Sequence, residues 1–277
     1  MSTQEITSTE NLQAYSTNRT RKQYTLWQIL GIWLAGGAPM WLLGWVAYPA
    51  LSAGLPPMEA GILRMKLMTV GLVWEFVLAM IILYREEGNI RLGTISRRFW
   101  LNHPKSARSG ETKKALWWWL IPLTLLVAFI GMAVRPMIVG FIGTAFPSLI
   151  GLIDTFETKA MFDPALFDQW NGAWGWFGLI FVQSLFNTIL GEEFLFRGVL
   201  LPKMEGAFGT WDWVANGVLF GLYHIHQPWG IPSSILTGLL YAFSARRFRS
   251  TWFSIILHSG QSVFMLFLVL GLVLGLA

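Results

Sequence analysis

The sequence has no cysteine and little charge. The absence of cysteine excludes disulfides, thiolate nucleophiles and cysteine-ligated metal sites. Only 13% of the 277 residues are charged, whereas 54% are hydrophobic; a soluble globular domain has about 25% charged residues. This composition favours a membrane protein. The net charge of +5 does not indicate a nucleic-acid partner, because the basic residues fall in short clusters between apolar runs.

The start of the chain has no apolar signal-peptide core. The first residues are polar and rich in Ser and Thr, and no small-residue cleavage site follows them. We therefore expect residues 1–24 to form a flexible tail on the cytoplasmic side.

Long apolar runs dominate the rest of the sequence. A helix needs about 20 residues to cross ~30 Å of hydrocarbon. Such runs cover about 25–51, 62–84, 116–134, 172–196 and 251–277, and shorter ones cover about 213–226 and 231–245. We predict an all-α fold, a polytopic membrane helical bundle with about seven transmembrane helices. Residues 137–153 are apolar enough for an eighth. We favour a surface-lying or re-entrant piece there, because Gly140, Gly143 and Pro147 interrupt the run.

The basic clusters predict an orientation. They precede the first run, occupy the 85–115 loop, and follow the fourth and sixth runs. With seven spans all four clusters lie on one side, which the positive-inside rule makes cytoplasmic. We expect a multi-pass protein of the cell (plasma) membrane with a cytoplasmic N-terminus. Its surroundings are then the lipid bilayer, and we expect no nucleic acid as a partner.

The apolar stretch TILGEEFLFRGVLLPK contains two adjacent glutamates, Glu192 and Glu193, and Arg197. A charged side chain at the centre of a spanning helix costs ~2.5–3.5 kcal/mol. Glu193 and Arg197 are four residues apart, so they share a helix face and can pair. Glu192 points about 100° away, which leaves it free to act as a base on water. The alternative is that all three side chains only end the helix in the headgroup zone.

Two histidines lie on later apolar runs. His224 has Phe220 one turn before it, and His258 lies early in the last run. Imidazoles in membrane helices normally face the bundle interior and are functional. His226 lies next to Gln227, and we expect it at an interface or in a loop. Glu75 lies in the middle of the second run. Three readings are open for it: contact with the site, a place along a water path, or a pair with a basic group of another helix, which we favour.

One glutamate and two histidines allow two hydrolytic mechanisms. In the first, Glu192 and His224 deprotonate a water molecule and His258 stabilises the oxyanion that forms. In the second, the same three side chains bind a metal ion with an open fourth position, and the metal activates the water. The residues alone leave both mechanisms open.

The spacing of these residues resembles a known family. Glu192, Glu193 and Arg197 form an EExxxR motif, and Phe220 with His224 forms FxxxH. His258 begins an HxxxN motif in which Ser262 replaces the asparagine. The three motifs, in this order, resemble those of the CAAX protease and bacteriocin-processing family of intramembrane endopeptidases. The resemblance covers residues 190–262.

The resemblance implies a role for each matched residue. Glu192 and His224 would activate water, Glu193 and Arg197 would support the site, and His258 would help form the oxyanion hole. Ser262 lies on the same helix face as His258 and offers one hydroxyl where the family has an amide. Loss of one oxyanion donor typically costs ~2.7–4 kcal/mol of transition-state stabilisation.

The resemblance also implies an activity and a domain organisation. The activity is glutamate-dependent cleavage of a membrane-associated peptide or protein: a prenylated C-terminus, a bacteriocin leader or a membrane-bound regulator. We expect no cofactor; the alternative is zinc held by Glu192, His224 and His258. Residues 25–171 would form N-terminal membrane helices and loops, and residues 172–277 the protease core. The departure at Ser262 favours a second reading, a non-catalytic membrane scaffold or bacteriocin immunity protein that retains the fold.

Overall fold

The computed structural model describes residues 22–106, 109–149, 153 and 161–276, and this part of the chain is helical. Most of the predicted tail, up to residue 21, lies outside the described residues. We number the helices in chain order, joining segments that continue without a break. They are α1 Leu26–Ser52, α2 Pro57–Glu87, α3 Leu92–Arg98, α4 Lys114–Ala145, α5 Trp174–Lys203, α6 Asp212–Tyr223, α7 Ile231–Phe248 and α8 Thr251–Val273.

Five helices of the described chain are long and apolar enough to cross a membrane, namely α1, α2, α4, α5 and α8. The prediction of an all-α membrane bundle is confirmed, but the predicted count of seven or eight spans is not. Helix α6 has 12 residues, which cover roughly 18 Å of a ~30 Å core. Helix α7 has 18 residues but carries Arg246 and Arg247 in its last turn.

Helix α4 differs from the prediction. Residues 137–145 prolong it, so they do not form a separate surface-lying or re-entrant piece. A π-helical turn at Ile130–Val134 ends two residues before Pro136. Such a turn breaks the regular hydrogen-bond ladder, so a residue without an N–H group can be accommodated there. Residues 150–152, near the end of the predicted piece, lie outside the described residues, as do residues 154–160 after it.

Helix α5 is irregular where it carries the two glutamates. It contains π-helical segments at Phe186–Leu190 and Glu193–Leu200, on either side of Gly191 and Glu192. A Cβ atom at Gly191 would lie 2.7 Å from the carbonyl oxygen of Phe186 and 2.8 Å from that of Leu72. Glycine therefore allows α2 to approach the α5 backbone closely at this point. The main hydrophobic core is built around this contact and includes Leu72, Leu195 and Phe196.

Helices α6 and α7 pack with their backbones in near contact. A Cβ atom at Gly217 would lie 2.7 Å from the backbone nitrogen of Leu239, and one at Gly238 would lie 2.8 Å from the oxygen of Gly217. Small residues permit such close approach between membrane helices. The helix pair holds the turn His224–His226, which begins where α6 ends, beside the rest of the bundle.

Candidate active site

The EExxxR side chains are buried inside the helical bundle. Glu192 is 2% exposed, and Glu193 and Arg197 are 0% exposed. Arg197 Nη1 lies 3.1 Å from Glu193 Oε1, and Arg197 Nη2 donates to the carbonyl oxygen of Gly238 at 3.3 Å. The predicted pairing of Glu193 with Arg197 is confirmed. Because α5 continues to Lys203, these residues do not end a helix at a solvated surface.

Glu192 points away from this pair. Its Oε2 atom lies 3.7 Å from His258 Nε2. That oxygen is buried and has no hydrogen-bond partner among the described residues. A buried polar atom without a partner is rare in proteins. Glu192 therefore presents one carboxyl oxygen that a water molecule or a substrate can contact.

His258 lies between the two glutamates. Its Nδ1 atom is 3.0 Å from Glu193 Oε1, while its Nε2 atom faces Glu192. The ring stacks on Tyr241, with centroids 4.9 Å apart and an interplanar angle of 24°. These contacts fix the ring orientation, so Nε2 is the nitrogen that remains available for chemistry.

Phe220 connects the three motifs. Its ring lies under the guanidinium of Arg197, with 4.1 Å between Cζ and the ring centroid. The same ring makes edge contacts with His224, at 4.9 Å between centroids, and with His258, at 5.8 Å. The structure thus places both imidazoles and the buried ion pair around one aromatic ring.

His224 is oriented by the backbone. Its Nδ1 atom lies 2.9 Å from the carbonyl oxygen of Phe220. A carbonyl only accepts, so Nδ1 carries the hydrogen and Nε2 of the neutral ring has a free lone pair. Within the described residues, His224 makes no hydrogen bond or ion pair with Glu192; it reaches the cluster through Phe220 and Tyr223.

His226 lies in a turn, as expected, but it is buried rather than at an exposed interface. Its ring stacks on that of His224, with centroids 5.7 Å apart. Its Nε2 atom lies 3.1 Å from the Gln227 side-chain amide. His226 therefore packs against the face of the His224 ring.

Ser262 lies one turn after His258 on α8 and is half-buried. No hydrogen bond of its hydroxyl is formed within the described part of the chain. The neighbouring Gln261 is exposed on another face of the helix. Of the two, only Ser262 lies on the side of α8 that carries His258.

Three residues of this region were not assigned to the site from the sequence. Tyr241 stacks on His258. Tyr223 is fully buried and hydrogen-bonds to Glu75. The expected pairing of Glu75 with a basic group is therefore wrong, because its partner is the Tyr223 hydroxyl. The sequence contains one signal for Tyr223, which directly precedes His224 in an apolar run. A tyrosine hydroxyl that is buried there needs a hydrogen-bond partner.

The donor set does not resemble a metal site. Among the residues that the structure describes, no group of three or more His, Asp or Glu side chains is arranged to hold a metal ion.

The fold and the site define a class of protein, a helical membrane protein with a buried glutamate–histidine cluster. Residues 173–264, about a third of the chain, match the Rce1-like family, described as type II CAAX prenyl endopeptidase Rce1-like. The match includes all three motifs and confirms the resemblance to the CAAX protease and bacteriocin-processing family. No curated protein and no solved structure matches the chain.

Proposed function

We propose that this protein is an intramembrane endopeptidase that hydrolyses a peptide bond of a membrane-associated substrate. Its base would be Glu192. The family match supports a CAAX-type protease. The observation that carries the mechanism is the buried Oε2 atom of Glu192, which lacks a partner and faces His258 Nε2 at 3.7 Å.

The first step is attack of water on the peptide carbonyl carbon. Glu192 removes one proton from the water, and His224 Nε2 accepts a hydrogen bond from the same molecule and orients it. The carbonyl oxygen takes up the electron pair and becomes an oxyanion. Glu192 then delivers its proton to the leaving nitrogen, and the C–N bond breaks.

His258 is suited to stabilise the oxyanion. Its Nδ1–H donates to Glu193, so only a doubly protonated ring can also donate from Nε2. Glu193 lies between this ring and the Arg197 guanidinium, whose Nη1 atom is 3.1 Å from Glu193 Oε1. We propose the Ser262 hydroxyl as the second donor, in the position where the family has asparagine.

The family match supports the substrate class that we propose. A prenylated C-terminus is the first candidate, and a bacteriocin leader and a membrane-bound regulator are the others. We propose a plasma-membrane location with a cytoplasmic N-terminus. Lys203 then ends α5 at the cytoplasmic side, and the glutamates lie in the half of α5 nearer that side.

The test is cleavage of candidate peptides by purified protein in detergent or vesicles. We expect the wild type to cleave, Glu192→Gln to lose cleavage by at least about 100-fold, and the exposed Glu59→Gln to cleave like the wild type. Addition of a chelator should leave the rate unchanged. Equal rates for wild type and Glu192→Gln would remove Glu192 from the mechanism.

A second candidate function is a non-catalytic scaffold or immunity protein. The observation that favours it is Ser262, which supplies a single hydroxyl donor on a shorter side chain than asparagine. In that case the wild type would bind the membrane peptide without cleaving it, and Glu192→Gln would bind it equally well.

A further inference from the structure

Glu75 is a carboxyl group that the proposed mechanism does not use. It lies in the middle of α2 and is 0% exposed. No ion pair reaches it from any described residue. A buried carboxylate without a cation is strongly disfavoured, so a carboxyl in this position is held neutral or shares its charge. A residue of this kind in a membrane helix needs a functional explanation.

The Tyr223 hydroxyl joins Glu75 to the candidate base. It forms a direct hydrogen bond with Glu75 Oε1, and it also faces the Glu192 carboxyl. The second oxygens of Glu75 and Glu192 are both buried and without partners. Three helices thus bring two carboxyl groups to one hydroxyl: α2, α5 and α6.

The hydrogen count at this hydroxyl restricts the protonation of the pair. A tyrosine hydroxyl has one hydrogen to donate and also accepts. If its hydrogen goes to an ionised Glu75, Glu192 receives none. If Glu75 is protonated and donates to the Tyr223 oxygen, the hydrogen of Tyr223 is free to point at Glu192.

Resting on the proposed function, we infer that Glu75 is a positioning residue: it holds a proton and, through Tyr223, directs one hydrogen bond onto the ionised Glu192. Glu75 and Glu192 then carry one negative charge between them, and that charge is on the base. No proton leaves Glu75 during the reaction. Its proton keeps a second charge away from the developing oxyanion.

No other titratable group replaces Glu75 in this arrangement. Of the elements packed on α2 around it, α1 between Leu26 and Leu42 has no titratable side chain, and neither does α5 between Trp174 and Leu190. Beyond Tyr223 and Glu192, the nearby charged and titratable groups are those of the site, namely Glu193, Arg197, His224 and His258, and His226, whose ring contacts Tyr223 with centroids 5.8 Å apart. The nearest ionisable residues on α2 itself are Lys66 and Tyr84, more than two turns away on either side.

Three variants test the inference in the cleavage assay. Glu75→Gln retains a neutral side chain that donates to Tyr223, so we expect it to cleave at about the wild-type rate at neutral pH. Glu75→Leu has no donor, and Tyr223→Phe has no hydroxyl. We expect both to lose about 10- to 100-fold in kcat with little change in KM, the value of one hydrogen bond to a charged group. The double variant Glu75→Leu/Tyr223→Phe should be no slower than either single variant.

The pH profile separates positioning from simple packing. In the wild type, activity should fall at alkaline pH when Glu75 loses its proton and competes for the Tyr223 hydrogen. That fall should be absent in Glu75→Gln. Identical profiles for the two proteins, or a Glu75→Gln variant as slow as Glu75→Leu, would overturn the inference while the protease function stood.

Infrared spectroscopy gives a result that does not depend on cleavage. At neutral pH the wild type should show the band of a protonated carboxyl group, which Glu75→Gln removes and Glu192→Gln retains. If this pattern appears in a protein that cleaves no peptide, the proton-holding pair is supported and the protease function is rejected. A band that survives in Glu75→Gln would contradict the inference in either case.

Discussion

Adjacent glutamates in one motif have different environments because the helix turns between them. Glu193 accepts hydrogen bonds from Arg197 and from His258, at 3.1 and 3.0 Å. Glu192 has an unpartnered oxygen beside the other nitrogen of the same ring. One carboxylate is therefore held by its neighbours, whereas the other remains available to a water molecule.

The Glu193–Arg197 pair should be necessary for folding. Replacement of Arg197 by leucine would leave Glu193 buried without its cation, which typically costs about 3–5 kcal/mol. Lysine should rescue poorly, because a single ammonium group is less suited than the guanidinium to reach both Glu193 and the Gly238 carbonyl. Thermal unfolding in detergent would measure the loss. The control is Arg97→Ala, which removes an exposed ion pair with Glu87 and should cost under about 1 kcal/mol. Equal effects of both replacements would contradict the assignment.

Ser262 should limit the rate of the proposed reaction. Ser262→Asn places an amide donor one turn from His258, and we expect kcat to rise by about 10-fold or more, a part of the ~2.7–4 kcal/mol assigned to one oxyanion donor. Ser262→Ala should slow cleavage further. Gln261→Asn is the matched control, because Gln261 is exposed on another helix face and should not change the rate. If Ser262→Asn cleaves no faster than the wild type, the side chain at position 262 does not stabilise the oxyanion.

At the scale of the element, the sequence predicted some contacts of the site and missed others. The pairing of Glu193 with Arg197 was predictable because it depends only on the spacing within one helix. The bond from Tyr223 to Glu75 was not, because it joins residues 148 positions apart. No local rule states which face of α2 meets which face of α6.

The length of an apolar run also fails to fix where a helix ends. Glycine and proline between residues 137 and 147 favoured a break, yet α4 continues to Ala145. A π-helical turn accommodates Pro136, and glycine is common in membrane helices. Hydropathy is nearly continuous across this region, so helix formation prevails over the local preferences of single residues.

Close packing of α6 and α7 should depend on their glycines. Gly217→Ala places a methyl group 2.7 Å from the Leu239 backbone, and overpacking of this kind costs about 1–3 kcal/mol. This outweighs the gain in helix propensity of up to ~1 kcal/mol. Gly31→Ala in α1 meets no atom within 4 Å and should be neutral or stabilising. Unfolding temperatures of the two variants would test the difference, and a Gly217→Ala protein as stable as Gly31→Ala would show that the helices separate easily.

At the scale of the whole molecule, the site joins both predicted parts of the chain. The motifs lie within residues 173–264, but α2 supplies Glu75 and approaches the α5 backbone at Gly191. The division at residue 172 stays a prediction. Residues 172–277 alone would lack the contacts that α2 makes. Tyr223 would lose its hydrogen bond to Glu75, and the α5 backbone would lose its contact with α2 at Gly191.

The absence of cysteine allows a direct test of membrane topology, because each introduced cysteine is the only one present. Three exposed positions report on three regions: Glu111 before α4, Gln169 before α5 and Pro228 between α6 and α7. With a cytoplasmic N-terminus, a membrane-impermeant thiol reagent should label Glu111→Cys only from the cytoplasmic side and Gln169→Cys only from the outside.

Pro228→Cys distinguishes five spans from seven. Helix α6 has 12 residues and covers roughly 18 Å, so α6 and α7 should enter the bilayer and return without crossing it. We then expect Pro228→Cys to resist the reagent from both sides, and to react once detergent removes the lipid. Labelling of Pro228→Cys in intact membranes from the side opposite the cytoplasm would instead support the seven-span topology. It would also place the His224 turn at the membrane surface, where bulk water reaches the site directly and a sheltered intramembrane reaction would not be required.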